Sequence, residues 1–109
     1  MTDTDTITLS APISEQPHGV VLRFCKWNGS GADDNNFSDF FVPKDFLTNF
    51  SGKGRSFVMA RRNFTKVTTK YLYIENTVIT GNADNIATGT NNGITFDNTA
   101  FCLREVIGV

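Results

Sequence analysis

Apolar residues fall along the chain in short runs, separated by segments rich in Asn, Asp, Gly and Thr. Gly19 to Trp27 (GVVLRFCKW) is almost continuously apolar apart from Arg23 and Lys26, which predicts a strong strand. Asn28 to Asn36 (NGSGADDNN) is a turn-rich loop of residues that tolerate positive φ. Phe37 to Val42 is a second strand, so the two make a wide hairpin. Ser56 to Arg62, Thr68 to Glu75 and Thr77 to Thr80 supply three more strands, the last two joined by a tight Glu-Asn turn. Gly81 to Asn92 reads as a long loop with a short strand around Ile86. Asn92-Gly93 is a two-residue turn signal of the kind hairpins prefer. Gly93 to Asp97 and Ala100 to Ile107 then read as a closing pair.

Helix is confined to one short stretch. Lys44 to Phe50 follows Pro43, which fits a first turn, and Gly52 sits just past the end, so one or two turns are expected. Residues 1–16 read as a flexible polar leader. Ile7 and Leu9 alternate with Thr and Ser, compatible with a short edge strand, and Pro12 and Pro17 bracket a connector. Met1 to about Thr6 has no apolar anchor and is expected to be disordered or exchanged onto a neighbouring copy. Residues 17–109 are expected to form one all-β domain. Strands at short spacing with no long amphipathic helix predict an antiparallel β-sandwich, jelly-roll-like or a small barrel, with at most one short helix.

A chain of 109 residues holds one core of ordinary size. Ten Phe, two Tyr and one Trp are many rings for such a core, so some are expected at the surface, where they mark interfaces. Phe37, Phe40 and Phe41 are the candidates, because adjacent residues of a strand face opposite sides. A net charge of −1 gives no global attraction to nucleic acid or anionic lipid and does not oppose self-association. No run approaches the roughly 20 apolar residues of a membrane-spanning helix, so no membrane insertion is expected. No secretion signal is visible at the N-terminus, so Cys25 and Cys102 are expected to be free thiols made in a reducing cytosol. Each shares a strand face with an arginine; antiparallel neighbours could bring the two sulfurs together as a redox staple, but small buried residues of two central strands are the plainer account.

The sequence contains no recognisable catalytic constellation. His18 is the single histidine and reads as a turn residue at a strand entrance. Gly52 to Ser56 (GKGRS) lacks the spacing of a phosphate loop and reads as a turn. Asp33 and Asp34 with neighbouring Asn, and Asp84 with Asn82 and Asn85, put oxygens close together without the pattern of a calcium loop, so neither metal nor cofactor is expected. One local charge bias exists. Lys53, Arg55, Arg61, Arg62, Lys66 and Lys70 are interleaved with Phe57, Phe64, Tyr71 and Tyr73, the composition of a single-stranded nucleic-acid groove. Net charge argues against that alternative. Trp27, at a strand end beside Asn28, Asp33, Asp34 and Asn35, is a candidate sugar-stacking platform; partial burial in the core explains it equally well.

Several segments carry a family resemblance. They are His18-Gly19-Val20-Val21-Leu22, Phe41-Val42-Pro43-Lys44, Lys70-Tyr71-Leu72-Tyr73-Ile74, Ile79-Thr80-Gly81-Asn82, Asn92-Gly93-Ile94 and Phe101-Cys102-Leu103-Arg104-Glu105-Val106-Ile107-Gly108-Val109. Over Gly19 to Val109 the chain resembles a domain of tail-fibre and baseplate proteins of phages infecting Gram-positive bacteria. It also resembles a small siphophage late protein whose β-sandwich is similar to a receptor-binding domain. The resemblance implies a virion tail component made in the host cytoplasm, structural or engaged in host adsorption, without catalytic activity. It implies a homo-trimer, other tail proteins as partners and a host-surface saccharide as ligand.

Overall fold

The computed structural model describes residues 5–60 and 66–109. Among the described residues nine strands form two sheets that enclose one core, with one helical turn and three short 3-10 turns. The strands are β1 (Thr6–Thr8), β2 (Gly19–Lys26), β3 (Ser38–Pro43), β4 (Gly54–Ala60), β5 (Val67–Ile74), β6 (Val78–Thr80), β7 (Thr88–Asn91), β8 (Ile94–Asp97) and β9 (Phe101–Gly108). Helix α1 is Phe46–Phe50. The smaller sheet has the order β3-β2-β9 and is antiparallel throughout. The larger runs β1-β6-β5-β8-β7, with β4 on the other side of β5, and curves as a half-barrel. The chain is thus an all-β fold of the sandwich or small-barrel kind, as the strand spacing predicts.

Period-two alternation builds the core. Val20, Leu22 and Phe24 of β2 and Val42 of β3 point inward. They meet Phe57 and Met59 of β4, Leu72 and Ile74 of β5, and Ile79 of β6 from the other sheet. Phe101 and Leu103 of β9 complete the layer.

Strand β5 organises the larger sheet. Along one edge it pairs with β4 from Val67 to Tyr73. Along the other it pairs only at its ends, with β6 at Tyr73 and Ile74 and, in parallel, with β8 at Val67. Side chains fill the gap. Asn85 Oδ1 accepts from Tyr71 N at 2.6 Å, and Asn85 Nδ2 donates to Tyr71 O at 3.1 Å, so one carboxamide stands in for a strand peptide. Asn98 Oδ1 accepts from Thr69 N at 2.8 Å while its Nδ2 donates to Asp84 O at 2.7 Å. Thr68 Oγ1 donates to Asp97 O at 2.8 Å. Unsatisfied backbone groups here would each cost about 1–3 kcal/mol, so the two asparagines are buried for a reason.

Several expectations shift. From Asp5 onward the leader belongs to the fold, correcting its reading as a flexible segment. β1 pairs with β6, starting at Thr6, and Ile13 is fully buried. The cause is Ile13 with Ile7 and Leu9, which pack on the core. Residues 1–4 lie outside the described residues. Pro43 ends β3 instead of starting the helix, and Asp45 precedes α1. No strand forms around Ile86. Asn82 caps a 3-10 turn over Ala83–Ile86 by accepting from Asp84 N at 2.9 Å, and the strand begins at Thr88. The Asn92-Gly93 turn does join a hairpin, β7–β8, with both residues at positive φ. β8 and β9 are not paired with each other. Asp97 caps the 3-10 turn Asn98–Ala100, which carries the chain across to the other sheet, where β9 pairs with β2.

Two substitutions test this account. Asn85→Ala leaves Tyr71 N and O without their partner and is expected to cost about 2–4 kcal/mol in urea unfolding. Gly19 has φ +149°, and a Cβ there would collide with the Val42 carbonyl oxygen. Gly19→Ala is therefore expected to cost more than about 3 kcal/mol. Gly29→Ala, at φ +99° but in open space, should cost about 1–2 kcal/mol. Equal losses for the two glycines would remove the steric argument.

Candidate interaction face

The outer face of the β3-β2-β9 sheet carries two of the aromatic residues that the sequence singles out, Phe37 and Phe41, with the 28–36 loop at its end. Its alternation is the complement of the core's. Val21 lies opposite Phe41 on one side and Ile107 on the other. One step along, Arg23 lies opposite Asp39 and Glu105. Arg23 Nε and Nη2 donate to the two Asp39 oxygens, each at 2.9 Å, and Nη1 donates to Glu105 Oε1 at 2.9 Å. One guanidinium thus clasps all three strands. The planar fork of arginine suits this two-sided grip as a lysine would not. Phe37 is 52 % exposed and Phe41 49 % exposed, so apolar rings flank the clasp. A hollow of about 260 Å³ opens between Arg23, Phe37, Asp39 and Glu105.

Phe40 does not belong to this face. It is partly buried, with its ring 5.8 Å from Phe24 and 5.2 Å from Phe57, and joins the core between the sheets. Its even position in β3 dictates this, as it does for Val42.

The 28–36 loop closes on itself at the end of the same sheet. Asn28 Oδ1 accepts from Ser30 N, Ser30 Oγ and Gly31 N at 2.9–3.2 Å. Asn35 Oδ1 accepts from Asn36 N at 3.1 Å. Asp33 faces Lys26 Nζ at 3.4 Å, and Asp34 accepts from Arg104 Nε at 2.7 Å. Asp34 and Asn36 both take positive φ. Trp27 is half-buried and bridges to Ala32 at the loop's base. The loop oxygens named as ligand candidates are therefore engaged in shaping the loop. A second surface offers a different balance. A groove of about 470 Å³ lies between β5 and the β7–β8 hairpin, lined by Val67, Asp84, Asn91, Ile94 and Phe96. Asp84 and Asn91 have no side-chain hydrogen bond or ion pair among the described residues.

The basic segment is dispersed. Lys70 is buried on the inner face of β5 with Leu72 and Ile74, 2 % exposed, and its Nζ donates to the carbonyls of Asn85 at 2.8 Å and Asn98 at 2.5 Å. It is a structural residue, which corrects its place in a nucleic-acid groove. Arg55 sits over the Phe46 ring at 5.3 Å. Lys53 and Lys66 precede β4 and β5, and so lie at opposite ends of that antiparallel pair. Arg61, Arg62 and Phe64 lie outside the described residues. Phe57 is core, whereas Tyr71 and Tyr73 pack edge to face on the outer side of β5. His18 is exposed, and its backbone N–H donates to Val109 O at 2.7 Å. Among the described residues no three His, Cys, Asp or Glu side chains cluster as a metal site would require. Among the described residues no helix is long and apolar enough to cross a membrane.

Comparison with protein-family models, curated proteins and solved structures finds no match to this chain.

The clasp escapes sequence reading because it depends on register. Its one signal is Arg23 itself, an isolated charge within an apolar strand. The clasp also titrates. Hydrogen bonds from Arg23 hold the Asp39 carboxyl below the usual carboxylate range, and the same bonds raise the guanidinium further. A folded-state pKa below the unfolded one gives stability that is complete above the ordinary carboxylate range and is lost as pH falls through the lowered value. The stability difference between the native chain and Asp39→Asn should therefore be largest near neutrality and shrink below about pH 4. Urea unfolding across the acid range checks this; a difference that does not change with pH would exclude Asp39 as a source of acid sensitivity.

Proposed function

We propose that this chain is a non-catalytic, self-associating β-sandwich module of a bacteriophage tail, structural or engaged in host adsorption. The observation that carries self-association is the pair of half-exposed rings, Phe37 and Phe41, on one sheet face beside the Arg23 clasp. Large exposed apolar side chains gathered on one face mark an interface more often than they mark bare surface. The clasp beside them ties the three strands together at one register. The tail setting rests on the sequence resemblance, and a homo-trimer is the assembly it implies. A closed cyclic assembly also buries such a face without open-ended growth. Other tail proteins are the further partners. Where adsorption is involved, a host saccharide is the ligand. The groove beside β7–β8 then serves better than the Trp27 loop, because Asp84 and Asn91 are free to accept hydroxyls next to the apolar wall of Ile94 and Phe96.

Light scattering at micromolar concentration tests the association. The native chain should give a trimer mass, and Phe41→Asp should shift the equilibrium toward monomer by at least about tenfold, equivalent to about 1.4 kcal/mol. A strict monomer that also binds single-stranded oligonucleotide in a salt-dependent way would overturn this reading in favour of the nucleic-acid one.

A further inference from the structure

The chain has two cysteines, and the fold sets them face to face. Cys25 of β2 pairs in register with Cys102 of β9, with the Sγ atoms 4.0 Å apart and both thiols buried. Directly opposed residues of antiparallel strands have Cβ atoms about 4.5–5.5 Å apart, whereas a disulfide needs about 3.5–4.5 Å. Bond formation therefore asks the strands to close by about an ångström. β9 has the slack to do so. Arg23 lies opposite Glu105 and Phe24 opposite Leu103, which leaves Arg104 as the extra residue of a bulge beside the cysteine pair. A bulge bends and twists its strand locally.

We propose that Cys25 and Cys102 are a dithiol that closes to an intramolecular cross-strand disulfide when the protein passes from reducing surroundings to ones containing hydrogen peroxide. The Cys25 thiol gives up its proton, and its sulfur attacks one peroxide oxygen. An S–O bond forms as the O–O bond breaks, giving a sulfenic acid and a hydroxide that takes up a proton as water. The Cys102 thiol then loses its proton, and its sulfur displaces the hydroxyl from Cys25, forming the S–S bond and a second water. The two thiols together lose two electrons and the peroxide gains two. Burial, reinforced by the neighbouring Cys25, pushes the Cys102 thiol up to about 11, which slows the second step and keeps the pair reduced under mild conditions. The bond would tie strands 77 positions apart in sequence and so constrain nearly the whole unfolded chain. It would also fix the sheet that presents Phe37 and Phe41. The proposal does not depend on what that face binds.

The experiment exposes the folded, fully reduced chain to hydrogen peroxide, then unfolds it in an alkylating agent and measures intact mass and peptide map. The expected product is a monomeric chain lacking two hydrogens, with Cys25 and Cys102 in one linked peptide and no alkylation. Its Tm should exceed that of the reduced chain by several degrees, and dithiothreitol should restore both mass and Tm. Cys25→Ser and Cys102→Ser should each block the linked peptide. Two alkylated thiols after peroxide treatment, sulfonic acids, or a bond between chains would each overturn the proposal.

Discussion

The larger sheet depends on how β5 satisfies its second edge. A strand between two neighbours ordinarily has a ladder on both sides, and an unpaired stretch inside a fold leaves backbone donors and acceptors without partners. Here β6 and β8 reach only the two ends of that edge. The carboxamides of Asn85 and Asn98 complete the middle, one imitating a peptide group and the other receiving a single N–H. Their own carbonyls are then held by the Lys70 ammonium. The arrangement fixes the two 3-10 turns against the sheet. It thereby fixes where the β7–β8 hairpin projects and where the chain crosses to deliver β9. The outer face of the smaller sheet thus depends, through β9, on a polar knot in the opposite sheet.

Much of the strand framework was legible in the sequence because it rests on local signals. The β2–β3 hairpin follows from two apolar runs around a turn-rich loop, and the β7–β8 turn follows from Asn92-Gly93. Other features were not legible, for physical reasons. In β5 both faces carry plausible core residues: Thr68, Lys70, Leu72 and Ile74 on one, Tyr71 and Tyr73 on the other. Alternation alone does not choose between them, and a lysine with the aliphatic pair reads as solvent-facing until Asn85 and Asn98 are in place beside it. Asn85 itself gives no signal, because its partners are backbone atoms 14 positions away. The odd-numbered face of β3 was readable, but which of Phe40 and Phe41 turned inward required the second sheet.

The two sheets use charge differently. In the larger, a cation is inside and held by carbonyl dipoles. In the smaller, the Arg23 clasp lies at the surface, where solvent screens it and the energy it supplies is modest. Its geometric effect is larger than its energetic one. Three strands with a charged row on their outer face have one register that pairs the charges, and a slip of one residue would bring Leu22 or Phe24 opposite Asp39 and bury the guanidinium. The clasp therefore selects the alignment that also places Phe37 and Phe41 outward and seats Cys25 against Cys102.

The order of the smaller sheet has a kinetic side. β2 meets β3 across a short loop, but it meets β9 only after most of the chain has been synthesised. Contacts of such long sequence separation bear a large loop-closure entropy and form late, so this sheet is a slow-folding element. Until β9 arrives, the hairpin of β2 and β3 stands with both edges unpaired and aromatic side chains on both faces, which is the form of a nascent chain most prone to pair with its neighbours. Such a chain is open to wrong strand pairings throughout its synthesis, because the strand that covers β2 is the last one made.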